Sequence, residues 1–462
     1  MNNILKIILI FIFLANCSFS KNSKFWTTET ITEEKKEKII EVFKKEEAFN
    51  LEFNPNLEIS FYSKAKNKSF LKNYDNNNGR INYSGNLKNI SKFKFSKINN
   101  FYQYEPEILF NNNNIIFFDN KGSILKFDET SNLLWKKNYY SKREKKQTPI
   151  LFFAIDKNFI VVADNLSKYY ALDVNSGEML WSNNNSAPFN SQIKIHKDKF
   201  FIIDYENTLR AYSIIDGKEI WSIKTQNSLI RSQKKLSMVI VNNKIYFNNS
   251  LGDISSVDIK TGELIWQTPT RSSIIFDEGF FLKTSDIIAD KKSLYFSNNK
   301  NQFFSLDINT GTLNWEQKIN SKLRPTLIDD YIFTVSLEGF LIVIDKVSGN
   351  IIRITDLFKN AVRKKIKDCK FRELWNCKGS AVPSVYLPFT SKKSKSSIEA
   401  SGFIVGKDNI YLTTSNGRLL VIDTKTGKTL SLLKIDNAKI SRPAVLNQNL
   451  FIVTDNSIIK LN

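Results

Sequence analysis

The segment Ser256-Val-Asp258-Ile-Lys-Thr-Gly262-Glu-Leu-Ile-Trp266 decides the fold of this chain, because it recurs. The same pattern stands at Tyr170-Ala-Leu-Asp173-Val-Asn-Ser-Gly177-Glu-Met-Leu-Trp181 and at Ala211-Tyr-Ser213-Ile-Ile-Asp-Gly217-Lys-Glu-Ile-Trp221. It stands again at Ser305-Leu-Asp307-Ile-Asn-Thr-Gly311-Thr-Leu-Asn-Trp315. Two copies keep the aspartate and glycine and end differently: Asp345 and Gly349 lead to Arg353, and Asp423 and Gly427 lead to Ser431. A seventh, Lys126-Phe-Asp128-Glu-Thr-Ser-Asn132-Leu-Leu-Trp135, is one residue shorter and carries Asn132 where the others have glycine. Asparagine is the next most tolerant residue of left-handed backbone, so Asn132 is expected to take the turn conformation there.

The chemistry of the unit is structural. Ahead of each copy runs a β-branched and aromatic strand such as Lys244-Ile-Tyr-Phe, then a polar turn and an alternating strand ending at the aspartate. Glycine supplies the positive φ of a tight hairpin, and the aspartate accepts backbone N–H bonds within it. Tryptophan closes the last strand and wedges between neighbouring sheets, burying ~150–250 Å² per ring. Five of the seven tryptophans occupy this position, which rules out a chance pattern.

The aspartate position (Ser213 in one copy) recurs at intervals of 38 to 49 residues, the length of a four-stranded propeller blade. One interval, from Asp345 to Asp423, is 78 and contains an insertion at about 357–400. Asn462 falls 39 residues past Asp423, on the aspartate position of an eighth copy without its final strand. The alternating stretch Ile90-Ser-Lys-Phe93-Lys-Phe95-Ser-Lys-Ile98 is expected to supply that strand, with Phe93 or Phe95 in the tryptophan's place. The expected fold is all-β: an eight-bladed β-propeller over 86–462, its ring closed by an N-terminal strand in the last blade.

The formal charge of +21 comes from 67 basic and 46 acidic residues. Only 11 of the basic residues are arginine, and the lysines are scattered among asparagines as on a solvated surface. No recognition-helix or base-reading motif accompanies them, so nucleic acid is not an expected partner. His196 is the only histidine and reads as a strand-end surface residue. No nucleophile motif, phosphate loop or metal-ligand cluster is present, so no catalytic residue, metal or cofactor is assigned.

The N-terminus points to export. Lys6 precedes the apolar run Ile7–Leu14, too short to span a bilayer, and Leu14-Ala15-Asn16-Cys17 follows. This resembles the bacterial lipoprotein box: 1–16 would be removed and Cys17 lipidated, although Asn16 departs from the usual small residue. Ordinary cleavage after Ser18-Phe19-Ser20, discarding Cys17, is the rival. Ser18 resembles the residue that sorts lipoproteins to the outer membrane. Residues 17–85 read as a tether with a short charged helix around Glu33–Glu47 and an irregular lead-in.

The repeats resemble the tryptophan-docking, or PQQ-like, propeller repeat. Eight such blades, the lipoprotein-like signal, a chain below 500 residues and the strand-swapped closure together resemble the BamB family. That resemblance implies a non-catalytic scaffold on the periplasmic face of the outer membrane. Its partners would be a POTRA domain of a BamA-like barrel assembly subunit and other subunits of that machinery. The family's Leu-x-Leu-Arg-like contact loop is partly matched by Leu229, Ile230 and Arg231, with Ser228 departing at the first leucine; an inward-packed interblade loop is the alternative. Asp277 and Glu278 lie in the next interblade loop without aligning to that family's acidic contacts. Quinoprotein alcohol dehydrogenases share the repeat, but their adjacent cysteine pair is missing: the cysteines are Cys17, Cys369 and Cys377. A periplasmic propeller with another envelope partner remains the second reading. In the insertion, Cys369 and Cys377 are placed to form a disulfide pinning a basic, solvated loop.

Overall fold

The computed structural model describes residues 51–65, 79–88, 90–99, 101, 107–225, 234–270, 282–359 and 398–462. They form eight four-stranded antiparallel sheets, each a blade of a β-propeller. In chain order the blades are blade 1 (109–137), blade 2 (151–184), blade 3 (194–224), blade 4 (238–268), blade 5 (288–317), blade 6 (326–356), blade 7 (400–434) and blade 8 (444–461). Blade 8 takes its fourth strand, Ile90–Lys94, from the other end of the chain, antiparallel to Ser457–Leu461. The expected closure is therefore present. Within each blade the strands follow in sequence, and the first strands of consecutive blades 1 to 5 stand beside one another around the centre. The second and third strands carry the apolar runs, such as Phe159–Asp164 and Lys168–Asp173, and are almost wholly buried against the neighbouring blade. Fourth strands are outermost and largely exposed.

This topology makes two rims. Turns between strands one and two, and the Asp–Gly hairpins between strands three and four, lie on one, the hairpin rim. Turns between strands two and three, and the connections between blades, lie on the other, the connection rim. The latter carries a five-residue helix, α1 (Lys142–Lys146), held by a reciprocal capping box between Ser141 and Glu144. The 360–397 part of the insertion lies between blades 6 and 7, outside the described residues, as do Cys369 and Cys377.

The hairpins form as their chemistry requires. Asp258 Oδ1 accepts the N–H groups of Lys260 and Thr261 at 2.8 and 3.0 Å, while Gly262 N–H donates to the Asp258 carbonyl. Asp173, Asp307 and Asp345 repeat this, and Asp423 Oδ1 takes the N–H of Thr426. Gly262 has φ +77° and would place a Cβ 2.7 Å from the Trp221 ring. Glycine is thus required twice, by the turn and by the ring lying on it. Each tryptophan docks on the glycine of the following blade: Trp135 on Gly177, Trp181 on Gly217, Trp266 on Gly311 and Trp315 on Gly349.

Two expectations need correction. In the short hairpin the left-handed residue is Ser131, φ +71°, not Asn132. Losing one residue tightens the turn so that Ser131 N–H bonds the Asp128 carbonyl, while Asn132 ties its amide to Asp128 Oδ2. In blade 8 the residue in the tryptophan's register is Ser91, opposite Lys460, rather than Phe93 or Phe95. Phe93 shares that face two residues on and packs fully buried between Phe127 and Phe451. Phe95 lies against Phe117.

The lead-in is a belt along three blades. Phe53 exchanges backbone hydrogen bonds with Ile354 on the outer strand of blade 6. The N–H groups of Tyr62 and Ser63 reach Asp329 in a blade 6 turn, at 2.8 and 3.2 Å. Ile81 N–H bonds Val405 of blade 7, and Ser84 N–H reaches Gln448 of blade 8. Underneath lies Arg353, the residue in the tryptophan's place in blade 6, fully buried against Gly427. Its guanidinium donates to the carbonyls of Leu57 in the belt, at 2.9 Å, and of Lys425 and Thr424 in blade 7. Burial pushes its pKa down to about 10 despite the charge of Asp423.

Candidate functional site: the connection rim

The residues that revealed the fold are committed to it. Among the described residues the belt starts at the connection end of blade 6, where Glu52 pairs with Lys359, and then runs over the hairpin side of blades 6, 7 and 8, leaving the rest of the connection rim uncovered.

At the centre of that rim a charged cluster spans the channel mouth. Its members stand in the last residues before the first strands. Lys235, entering blade 4, pairs with Glu107, entering blade 1, at 2.6 Å. Arg442, entering blade 8, faces Asp286, entering blade 5, at 3.7 Å. Both pairs join blades three apart, so they cross the ring rather than follow it. Lys234 Nζ donates to the carbonyls of Thr284 and, at 3.0 Å, Lys322, and Lys322 pairs with Glu399 at 2.9 Å. Burial raises the pKa of the Asp286 carboxyl, but Lys234, Arg324, Arg442 and Lys235 outweigh it and hold the group ionised below the usual range. Charges this close in a partly desolvated funnel give the mouth a directed field, suited to orienting a polar partner.

The turns around the mouth share a second motif. Asp119, Asp164 and Asp204 each accept two backbone N–H groups, two and four residues on, and Asn249 does the same. The residue three positions on is left-handed: Gly122, Ser167, Asn207 and Gly252. Buried serines brace the connections: Ser191, Ser285 and Ser441 each accept an N–H from the end of the second strand, from Ile203, Ser297 and Val453. Neither device was anticipated. A spaced Asx-x-x-Gly/Asn/Ser pattern was the available signal for the first.

The candidate partner residues Leu229, Ile230 and Arg231 lie outside the described residues, and so do Asp277, Glu278 and Cys17. The flanking Thr225, at the outer edge of blade 3, and Lys234, in the central cluster, place the ends of the 226–233 connection on the connection rim. His196 ends the first strand of blade 3 on the opposite, hairpin rim, half-buried. Burial and the nearby Lys197 and Lys199 lower its pKa, keeping the ring neutral. Among the described residues no three histidine, cysteine or carboxylate side chains converge on a metal position.

Comparison with known proteins matches residues 120–355 to the family described as outer membrane protein assembly factor BamB. No curated protein matches by sequence. Among solved structures the chain is similar to BamB from Moraxella catarrhalis, at 14% identity and a TM-score of 0.58, over 80% of this chain and all of that one. It is also similar to the quinohemoprotein alcohol dehydrogenase from Comamonas testosteroni, at 12% identity and 0.56, over 84% of this chain and 78% of that one. A europium-containing methanol dehydrogenase gives 12% identity and 0.57, over 83% and 88%. At these identities the structural likenesses report the shared propeller; the family match carries the distinction.

Proposed function

The chain belongs to the family of outer membrane protein assembly factor BamB, and from that premise we propose a non-catalytic scaffold of the barrel assembly machinery. In this reading its connection rim docks on a POTRA domain of a BamA-like subunit, and Cys17 carries the lipid that holds the protein at the periplasmic face of the outer membrane. The observation that carries the proposal is the division of labour between the rims. The hairpin side is occupied by turns and belt, while the connection side presents the charged mouth and receives both ends of the 226–233 segment. An arginine flanked by aliphatic residues, as in Leu229-Ile230-Arg231, has the composition of an interface hot spot. Cations and carboxylates around it would set orientation and encounter rate rather than bulk affinity.

Membrane-extracted protein is expected to retain the barrel subunit on co-purification, and Ile230→Ala with Arg231→Ala to lose it while thermal unfolding stays unchanged. Purification without any barrel subunit overturns the proposal. Dye-linked alcohol oxidation by the purified protein would restore the dehydrogenase reading. Mass spectrometry of the mature N-terminus, expected to find an acylated Cys17, tests the anchor separately.

A further inference from the structure

The connection rim is not evenly charged. At blades 1 and 2 it gathers Lys121, from the turn after the second strand of blade 1, with Lys142, Arg143, Lys145 and Lys146 of α1. Local packing holds the two pieces together. Gly122 lies on the ring of Tyr140, one residue before the Ser141 cap, and Asn138 donates its amide to the Lys121 carbonyl at 3.0 Å. The Tyr140 hydroxyl in turn donates to Asp164 in the neighbouring turn of blade 2.

The carboxylates of this sector already have partners. Asp119 is buried and pairs with Lys136 at 3.1 Å. Glu144 closes the capping box and faces Lys168 at 3.9 Å. Asp164 is buried under the Tyr140 hydroxyl and two backbone N–H groups. Among the described residues Lys121 and the four cations of α1 stand in no ion pair.

The fold does not need these charges. No residue of α1 is buried, and two of its cations sit at the N-terminal end, against the helix dipole. Lys142 stands three and four residues before Lys145 and Lys146, a spacing at which like charges repel. An anion outside the helix would relieve that repulsion. Four of the five cations are lysines, point charges on flexible stems, and they are spread over a projecting surface. Such a patch matches a plane of separate negative charges better than one phosphate held in a fork. The tether joins the propeller from the same side, because the belt begins at the connection end of blade 6. Residues 17–50 extend at most about 120 Å, enough for the patch to touch a bilayer that holds Cys17. Tethering raises the local concentration of that surface, so a weak contact suffices.

We infer that the α1 patch rests on the anionic phospholipid headgroups of the membrane surface to which the chain is tethered. With no apolar face on α1, the contact is superficial and electrostatic rather than inserted. Placing a membrane beside the patch rests on the anchoring proposed above; the patch's affinity for an anionic bilayer does not.

Vesicles of phosphatidylglycerol mixed into phosphatidylcholine are the probe, with pure phosphatidylcholine as the neutral reference. The protein is the mature chain from residue 18, which lacks the acyl group and keeps the whole propeller. It is expected to float with the anionic vesicles alone at about 0.1 M salt, and to be released at about 1 M, where the Debye length is about 3 Å. Replacing Lys142, Arg143, Lys145 and Lys146 by serine is expected to weaken binding roughly a hundredfold with thermal unfolding unchanged. Lys121→Glu, on the separate turn, is expected to weaken it several-fold by itself. A matched variant on the hairpin rim, with Lys157, Lys197, Lys218 and Lys260 replaced by serine, is expected to bind like the native protein. No binding to anionic vesicles, equal binding to neutral ones, or unchanged binding of the α1 variant each overturns the inference. An equal loss in the hairpin-rim variant assigns the binding to overall charge and overturns it too. Loss of the barrel subunit from an α1 variant that still binds vesicles makes the patch a protein contact instead. Absence of that subunit from the native protein overturns the docking reading alone, and an unacylated mature N-terminus overturns the anchor alone.

Discussion

Blades 1 to 5 and blades 6 to 8 reach the same architecture by different means. In the first group a tryptophan ends each hairpin and lies on the glycine of the next blade, so every interface is sealed locally. In the second group the same place holds Arg353, Ser431 and Ser91. The difference follows from what lies ahead of each. A ring needs a flat glycine floor in the following hairpin. Blade 8 has no such hairpin, because its third and fourth strands come from opposite ends of the chain, so Ser431 has nothing to dock on. The hairpin ahead of Ser91 is the short one, with Ser131 in place of glycine. Only Arg353 has a floor, Gly427, and it is an arginine because the belt above it offers a carbonyl for a cation to bond. Closing a ring at its ends thus replaces repeated apolar wedges by one polar clasp.

The comparison is broken most sharply at Arg353. Arg353→Ala leaves the carbonyls of Leu57, Thr424 and Lys425 without that donor and opens a cavity between two blades, at a cost of about 4 kcal/mol in urea unfolding. Its distinguishing mark is local. The amide of Ile59, which bonds the Lys425 carbonyl, is expected to exchange faster, whereas Trp266→Ala leaves it protected. Equal protection of Ile59 in both variants would show that the arginine does not hold the belt. Trp266→Ala itself is expected to cost about 3 kcal/mol, at the lower end for a large aromatic because its ring is only half-buried.

A finer test uses the floor rather than the ring. Gly349 and Gly427 share the left-handed turn, φ +75° and +72°, so alanine at either meets the same backbone penalty. They differ in what the new methyl would strike. At Gly349 it lies 2.5 Å from the rigid Trp315 ring; at Gly427 it meets Thr355 Oγ1 and the end of the Arg353 side chain at 2.8–3.0 Å. Gly349→Ala should therefore cost about 3 kcal/mol and Gly427→Ala about 1 kcal/mol less, since a side-chain terminus can give way. Equal losses would mean that backbone conformation alone accounts for the glycine.

How much of this was legible in sequence depended on how narrow each physical requirement is. A left-handed turn lying under an aromatic ring admits almost only glycine, so Gly177, Gly217, Gly262 and Gly311 announced themselves with their tryptophans. The turn on the opposite rim accepts aspartate or asparagine first and glycine, serine or asparagine fourth, so no single letter recurs and the motif stayed hidden. Register within blade 8 was missed by two or four residues because Ser91, Phe93 and Phe95 share one face, and alternation alone does not choose among them. The pairs Lys235–Glu107 and Arg442–Asp286 join residues far apart in sequence, where local periodicity carries no signal. The belt reads as irregular because it is: it holds by a few scattered bonds to the outer strand of blade 6 and to successive turns, with no repeating register.

The smallest expected effect lies in the hairpin carboxylates that both groups of blades share. Backbone N–H groups hold Asp173, Asp258 and Asp307 below the ordinary carboxylate range, from Ser176, Thr261 and Thr310 respectively. A carboxyl whose pKa is lower folded than unfolded stabilises the fold above its unfolded pKa. It loses that contribution as pH falls through the folded value. The window is therefore acidic, from about pH 4 downward. Asp258→Asn keeps an acceptor for the turn and removes the charge. At pH 7 its urea midpoint should shift less than in any variant above, and its acid limb should fall less steeply than that of the native protein. Ser213 already occupies this position in blade 3 with no carboxylate, and its hydroxyl accepts from Ile215 N–H. Ser213→Asp is accordingly expected to do the reverse, raising stability at neutral pH and steepening the loss in acid; identical acid limbs across the three proteins would assign acid sensitivity to groups outside the hairpins.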